Sequence, residues 1–246
     1  GDWSSDVCSS DLQIGVAQTY SVDINMPVTQ MVQNLVGNGV QISNVSVTAC
    51  DSTYGYYNSV NTELGTSQGL LMTTGKALYS IGPNNSIGNC STSAGTCDFF
   101  DNGCPGSTLL NQAQNRITRD ATTIEFDIVP LGDSLKFKYT FASEEYNEWV
   151  NSPFNDVFGF YISGPNVGTN VNIALVPGSN QVVSINTVNL LSNSQYFYNN
   201  QNPLGQNIQY DGFTRNLIAK VGNLEPCQTY HLKLIIADGT DRVYDS

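Results

Sequence analysis

The sequence predicts an all-β protein, an antiparallel two-sheet β-sandwich that is jelly-roll-like and carries one or two short helices. Runs with period-two alternation recur at hairpin-like spacing and indicate about nine strands. Helical periodicity is confined to two short segments, and strands and helices do not alternate along the chain. No internal repeat with a period of about 20–50 residues is apparent.

In the first half of the chain, the stretch TQMVQNLVGNG after Pro27 predicts a helix. Its apolar residues recur at helical spacing, Thr29 is the predicted cap, and Gly37 or Gly39 is the predicted end. Ser107 is the predicted cap of a second short helix at 107–115. The other predicted segments are extended residues 21–24, strands at 40–48 and 69–74, a tyrosine-rich loop at 50–64 and an irregular stretch at 82–106.

The second half is predicted to consist mostly of strands. The run LKFKYTF at 135–141 alternates apolar with polar residues, whereas VFGFYI at 157–162 is apolar throughout and predicts a strand buried on both faces. Further strands are predicted at 124–128, 172–176, 182–188, 213–221 and 229–237, with a polar loop at 192–209. The side chains expected in the core are those of Phe137, Tyr139, Phe141, Phe158, Phe160, Leu232 and Leu234.

Acidic side chains cluster between the two strands at 135–141 and 157–162. Glu144 and Glu145 follow the first strand, Asp156 precedes the second, and residues 142–165 contain no Lys or Arg. Neighbouring carboxylates repel one another unless a cation or suitable donors hold them, and Ca²⁺ prefers such oxygen ligands. We therefore predict a calcium site formed by Glu144, Glu145 and Asp156 and completed by Asp241 or Asp245. The alternative is a capped turn in which Asp156 accepts loop amides and the glutamates are solvated.

Adjacent glutamates on a continuous strand would point to opposite faces, so this site requires a bulge or turn after Ala142. The same adjacency does not place two carboxylates across a cleft, as glycosidases require. His231, the only histidine, lies on the polar face of a predicted strand, and no GxSxG, HExxH or phosphate-loop motif is present. The sequence therefore predicts no catalytic residues, and a hydrolase is retained only as a rival interpretation.

Two aromatic clusters in polar segments are candidate ligand-binding surfaces. One contains Tyr54, Tyr56 and Tyr57, and the other contains Tyr196 and Tyr198. Aromatic rings stack on sugars and anchor protein partners, so the predicted ligand is an extracellular glycan or protein. The alternative is that the rings pack beneath their own loops.

Residues 1–12 resemble a translated sequencing adapter, and we expect a single domain at 13–246 that is truncated at both ends. Without Asp2, Asp6 and Asp11, the formal net charge changes from −12 to −9. Sparse, unclustered Lys and Arg exclude a nucleic-acid partner, and no apolar run is long enough for a membrane span. The low content of charged residues, 12%, is typical of a secreted β-protein with polar loops.

The remaining cysteines predict disulfides in an oxidising compartment. They are Cys50, Cys90, Cys97, Cys104 and Cys227. Zinc is disfavoured because no CxxC pair occurs. We expect at least one disulfide among Cys90, Cys97 and Cys104. The third cysteine of this group, Cys50 and Cys227 allow further pairings that the sequence does not rank. Because five cysteines are present, one of them has no partner among the other four.

Several long motifs resemble the choice-of-anchor L domain of bacterial surface proteins, from about Met31 onward. They are ITRDATTIEFDIVP, FASEEYNEWV, FNDVFGFYISGP, NIALVPG, QYDGFT and PCQTYHLKLIIADGTDRVYDS. The resemblance implies a secreted module on the outer cell surface, exported by type IX secretion, with sorting signals or further domains elsewhere in the same chain. The function expected is adhesion or binding, with calcium as a structural ion. The alternative is a carbohydrate-binding module attached to a catalytic domain outside this sequence.

Overall fold

The computed structural model describes residues 18–37, 40–84, 102–201, 205, 207–240 and 244–246. The adapter-like residues 1–12, Cys90, Cys97 and Asp241 lie outside this described part. Within it the chain forms fourteen strands and two α-helices, so the predicted all-β class is confirmed. In chain order the elements are β1 (Thr19–Asp23), α1 (Val28–Val36), β2 (Gln41–Thr48), β3 (Tyr54–Val60), β4 (Gln68–Met72), α2 (Thr108–Gln114), β5 (Thr118–Val129), β6 (Leu135–Tyr139), β7 (Ala142–Ser143), β8 (Val157–Gly164), β9 (Gly168–Asn172), β10 (Val183–Ser184), β11 (Phe197–Asn199), β12 (Gly212–Thr214), β13 (Leu217–Val221) and β14 (Tyr230–Gly239).

One layer of the sandwich is a six-stranded antiparallel sheet. Its strand order is β10-β8-β14-β5-β2, and β9 pairs with β8. The long strand β14 lies between β5 and β8 and forms backbone ladders with both. A strand with partners on both edges satisfies its backbone groups within the sheet, which allows its LIIA run to be buried.

The second layer consists of three separate ribbons. Their strand orders are β1-β3-β4, β13-β6 and β11-β12-β7. The β13-β6 ribbon packs on the large sheet through aromatic pairs, since the ring of Phe137 lies 5.0 Å from that of Phe160 and the ring of Tyr139 lies 5.2 Å from that of Phe158. Of the seven predicted core residues, six are buried and Tyr139 is half-buried.

The opposite face of the large sheet is partly covered by α2. Leu110 of this helix packs with Val157, Tyr161, Ile235 and Ala237, which alternate with the residues that face the ribbons. This second core explains why β8 is apolar at both odd and even positions, as the sequence predicted. As predicted, Ser107 caps α2, accepting a hydrogen bond from the backbone N–H of Leu110.

Several element predictions are wrong in detail. The tyrosine-rich segment is strand β3 rather than a loop, because aromatic residues favour the pleated, half-buried surface that β1 and β4 provide. The strand predicted at 213–221 is split into β12 and β13, which belong to different ribbons. Helix α1 begins after Pro27 with no side-chain cap, so Thr29 is not its cap.

One disulfide joins Cys50, just before β3, to Cys104, just before α2. The predicted use of Cys50 and Cys104 in disulfides is therefore confirmed, whereas a bridge to Cys90 or Cys97 falls outside the described residues. Cys227, whose pairing the sequence left open, is a free, exposed thiol. It lies in the turn before β14, where its backbone N–H donates to the carbonyl of Pro130 at 3.0 Å.

Candidate functional site

The acidic site begins where β7 ends. After Ser143 the chain leaves the sheet and turns through residues 144–151. The hydroxyl of Ser143 accepts a hydrogen bond from the backbone N–H of Glu145 at 3.0 Å, which fixes the start of this turn. Because the strand stops here, Glu144 and Glu145 are both buried, at 1% and 0% exposure. The required turn after Ala142 is therefore present, and the interpretation of these glutamates as solvated is wrong.

Asp156 lies at the centre of the site, at the entrance to β8, and is fully buried. Its Oδ1 accepts the backbone N–H of Gly239 at 3.0 Å. Its Oδ2 accepts the hydroxyls of Ser143 at 3.2 Å and Ser246 at 2.6 Å. Donors from β7, from the end of β14 and from the segment after β14 thus converge on one carboxylate. Hydrogen bonds to an ionised carboxylate are roughly twice as strong as neutral ones.

The segment after β14 closes the site. The carbonyl of Asp245 accepts the backbone N–H of Glu144 at 3.0 Å, and the Asp245 Oδ1 lies 3.5 Å from the hydroxyl of Thr74. A Cβ on Gly75 would lie 1.9 Å from the Asp245 Oδ2, so this carboxylate packs directly against the glycine backbone. The local sequence permits the close approach because residue 75 has no side chain.

Asp238, near the end of β14, contributes a fourth buried carboxyl group, at 1% exposure. Burial raises its pKa well above the ordinary value of 3.8, and the nearby Asp156 and Asp245 raise it further. A side-chain hydrogen bond with Thr74 acts in the opposite direction on this pKa. Among the described residues, Oδ1 of Asp238 has no hydrogen-bond partner.

Aromatic side chains surround the acidic group. Tyr146 is fully buried and donates its hydroxyl to the carbonyl of Val188 at 2.7 Å. Its pKa is raised well above 10.0, first by burial and then by the charges of Asp156 and Glu145. Trp149 is partly exposed, with its ring 5.1 Å from that of Phe154 and 6.2 Å from that of Tyr244. These rings hold the acidic turn against the segment that follows β14.

The structure thus brings together four of the five residues predicted for the metal site. Glu144, Glu145, Asp156 and Asp245 lie in one cluster, while Asp241 lies outside the described residues. Asp238 was not assigned to the site from sequence, although its position in the ADGTD motif was visible. In the described ranges, no group of three or more His, Cys, Asp or Glu side chains has an arrangement suited to holding a metal ion.

The two aromatic clusters lie on strands or beside them rather than on free loops. Tyr56 is buried at 4% exposure, and Tyr54 and Tyr57 are half-buried, with the Tyr57 hydroxyl 2.6 Å from that of Thr66. The ring of Tyr56 is therefore packed beneath its own segment, which was the alternative to a ligand-binding surface.

In the second aromatic cluster neither tyrosine is fully buried. Tyr196 and Tyr198 are both half-buried. The ring of Tyr198 stacks on Phe213 at 4.8 Å, and the guanidinium of Arg215 lies 5.7 Å from the same ring.

His231 lies on the polar face of β14, as predicted. Its Nδ1 is 2.7 Å from Oδ1 of Asp127, and its Nε2 is 3.0 Å from Oε2 of Glu125. Glu125 also contacts the ammonium of Lys233 at 3.1 Å. Both imidazole nitrogens are thus engaged by carboxylates of the neighbouring strand, in an ion-pair network across the sheet.

A family model, the Choice-of-anchor L domain, matches residues 19–246 and so covers nearly the whole chain. The chain belongs to the choice-of-anchor L domain family. This membership confirms the resemblance found in the sequence and indicates a surface-associated module. No curated protein and no solved structure shows significant similarity to the chain. Among the described residues, no helix is long and apolar enough to cross a membrane.

Proposed function

We propose that this choice-of-anchor L domain is a non-catalytic adhesion or binding module on the outer cell surface, carried there by type IX secretion. Family membership supports the surface location, and the burial of the acidic motif supports the non-catalytic role. A catalytic carboxylate must reach its substrate, whereas Glu144, Glu145, Asp156 and Asp238 are each at most 1% exposed. Hydrogen bonds from Ser143, Gly239 and Ser246 to Asp156 give the motif a structural role.

The proposed structural ion at this motif is calcium. Asp238 supports the proposal, because a buried carboxyl oxygen with no hydrogen-bond partner among the described residues is costly unless a cation or proton neutralises it. Calcium accepts backbone carbonyls and waters as well as carboxylates, so a few carboxylates can suffice. Bound calcium would join the turn after β7 to the segment after β14.

Thermal melting in calcium and in chelator tests this proposal. Calcium that binds the folded state alone should stabilise it by about 2.7 kcal/mol at a hundredfold excess over Kd. Asp238→Asn should remove the calcium response, whereas Asp133→Asn, at an exposed turn position, should retain it. Equal melting temperatures of the wild-type protein in calcium and in chelator would contradict calcium binding. The acidic cluster would then be held by hydrogen bonds to Asp156 alone.

The proposed ligand is an extracellular protein or glycan. Tyr196 and Tyr198 are the candidates for this surface, because they are partly accessible and Arg215 adds a cationic group beside Tyr198. Aromatic rings beside a guanidinium that can donate hydrogen bonds suit the recognition of sugars, which supports a carbohydrate-binding module as the second candidate.

A glycan array probed with the isolated protein distinguishes the two candidates. The control is Tyr79, another half-buried ring with a cation beside it, the Lys76 ammonium at 5.7 Å. Selective glycan binding that is lost in Tyr196→Ala/Tyr198→Ala and kept in Tyr79→Ala would support the carbohydrate-binding module. Binding to extracellular proteins without glycan selectivity would support adhesion. Glycoside cleavage by the isolated protein would contradict both and restore the hydrolase interpretation.

A further inference from the structure

The outer face of the β13-β6 ribbon carries a row of lysines. Phe137 and Ala219 of this ribbon are buried in the main core, so the residues that alternate with them face outward. These include Lys136, Lys138 and Lys220, which are all exposed. Lys136 pairs directly with Lys220 across the two strands. The Cβ atoms of such opposite and diagonal neighbours lie about 5 to 8 Å apart, so the three positive charges repel one another.

No acidic side chain is built into this face. Segments 134–143 and 212–224, which contain both strands and the residues beside them, have no Asp or Glu. In the described part of the chain, the ion pairs join His231 and Lys233 to carboxylates of β5, and none involves the three lysines of the row. The row is thus a local excess of positive charge on a chain whose formal net charge is −12.

Protection of strand edges does not explain the row. Among the described strands, β6 and β13 pair only with each other, so each has an open edge that a charged side chain would shield from further strands. One charge on each strand would suffice for this purpose. Lysines placed directly opposite one another, as Lys136 and Lys220 are, destabilise a strand pair. A bound anion would remove this repulsion.

The positive charge continues to the aromatic surface proposed for ligand binding. Arg215 lies just before β13 and is exposed, and its backbone N–H donates to the carbonyl of Tyr196 at 2.6 Å. Its guanidinium lies 5.7 Å from the ring of Tyr198. Residues 215–220 span at most about 17 Å at the rise of a strand. Four of the nine Lys and Arg residues of the chain thus lie along one narrow surface, here called the basic stripe: Lys136, Lys138, Arg215 and Lys220.

Between its cations the basic stripe presents small polar and apolar groups. The hydroxyl of Thr140 lies 3.5 Å from Oδ1 of Asn216, and both residues lie on the outer face. Ile218, which pairs with Lys138, is 49% exposed. Hydroxyl and amide groups hydrogen-bond to sugar hydroxyls, and apolar and aromatic side chains pack on the C–H groups of sugar rings. The stripe therefore combines sites for negative charge with contacts that a sugar chain can use.

We propose that the basic stripe binds a polyuronate, an acidic polysaccharide whose carboxylates are spaced along the chain. This inference rests on the binding function proposed above and names the ligand class of that surface. Carboxylates of the polysaccharide lie against Lys136, Lys138 and Lys220, and a sugar ring lies beside Tyr198 at the other end. Binding relieves the repulsion between the opposed lysines, which makes the two charge patterns complementary.

A thin chain of moderate charge fits the stripe better than a membrane or a nucleic acid does. The stripe is two strands wide, and the protein as a whole is acidic. A broad anionic bilayer would therefore repel the surface around the stripe at distances within the screening length. Duplex DNA carries one negative charge per about 1.7 Å, which is far more than these few cations balance. A polysaccharide chain contacts the stripe alone.

Binding of the protein to alginate, a polyuronate, and to dextran, a neutral polysaccharide, tests the proposal. The assay is run in chelator, because calcium binds carboxylates and would bridge them. We expect alginate to bind at least about tenfold more tightly than dextran, because only alginate forms ion pairs with the stripe. Alginate binding should be lost when the salt concentration rises from about 0.1 M to about 1 M, which shortens the screening length from about 10 Å to about 3 Å.

Two double variants with the same change in net charge locate the site. Lys136→Gln/Lys220→Gln should weaken alginate binding about tenfold, since one exposed ion pair contributes up to about a fivefold factor in affinity. The matched control is Arg116→Gln/Lys233→Gln, which removes two cations on the side of the large sheet that α2 covers and should change the affinity by less than about twofold. The melting temperature of Lys136→Gln/Lys220→Gln should equal or exceed that of the wild type, because an unfavourable charge pair is removed.

Equal weakening by the two double variants would overturn the stripe as the site, because overall charge would then govern binding. Binding of polyglutamate or of phosphatidylglycerol vesicles as tight as that of alginate would overturn the polysaccharide as the ligand. If the wild-type protein binds neutral glycans but not alginate, this inference fails and the proposed binding function stands. If it binds neither neutral nor acidic glycans, this inference and the carbohydrate-binding module both fail.

Discussion

Replacing both Cys50 and Cys104 by alanine should strongly destabilise the protein. The bridge spans a sequence separation of 54 residues, and it ties the start of β3 to the segment before α2. Removing a cross-link restores the conformational freedom of the unfolded chain. For a loop of this length the chain-entropy relation gives about 4 kcal/mol. With a urea m-value near 3 kcal/mol/M, the unfolding midpoint should fall by about 1.3 M.

Urea unfolding of the oxidised wild-type and double-alanine proteins measures this change. Cys227→Ala is the matched control, because this free thiol is exposed and its replacement should change stability by less than about 0.5 kcal/mol. A midpoint shift in the double variant no larger than that of the control would refute the reasoning. So would non-reducing peptide mapping that joins Cys104 to Cys90 or Cys97, or that finds only free thiols in secreted material.

Two further predictions concern the acidic site. Gly239→Ala should destabilise the protein by about 3 kcal/mol or more, because its Cβ would lie 2.3 Å from a backbone oxygen and would break the hydrogen bond to Asp156. The control is Gly132→Ala, which should change stability by less than about 1 kcal/mol because no atom lies within 4 Å of the added Cβ. If urea unfolding shows equal destabilisation by the two substitutions, the close packing at Gly239 is contradicted. The raised pKa of Asp238 stabilises the fold fully below the unfolded value of 3.8, and this stability is lost as pH rises through the folded pKa. In chelator, the unfolding free energy of the wild-type protein should therefore fall as pH rises above the unfolded value of 3.8, and Asp238→Asn should flatten this fall. An unchanged slope would contradict the assignment.

The sequence alone determined the strands whose pattern is strong. The period-two run at 135–141 and the continuous apolar run at 157–162 became β6 and β8, because alternation and two-sided burial are properties of local sequence. The cap of α2 at Ser107 was equally local. The family motifs also identified the chain as a choice-of-anchor L domain. The YGYYNSV segment was wrongly predicted to be a loop. It is a strand because it pairs with β1 and β4, and these partners cannot be recognised from the segment's own residues.

The tertiary structure decided which carboxylates meet and how they are held. The sequence placed Glu144, Glu145 and Asp156 near one another, because they flank two strands that end at the same edge. Only the folded chain brings Asp238 to them and supplies Ser246 as a donor to Asp156. The separation of β4 and β6 into different ribbons could not be predicted from the sequence either, since strand pairing depends on partners elsewhere in the chain. Both features depend on contacts between residues far apart in the chain, and such contacts leave no periodic signal in the sequence.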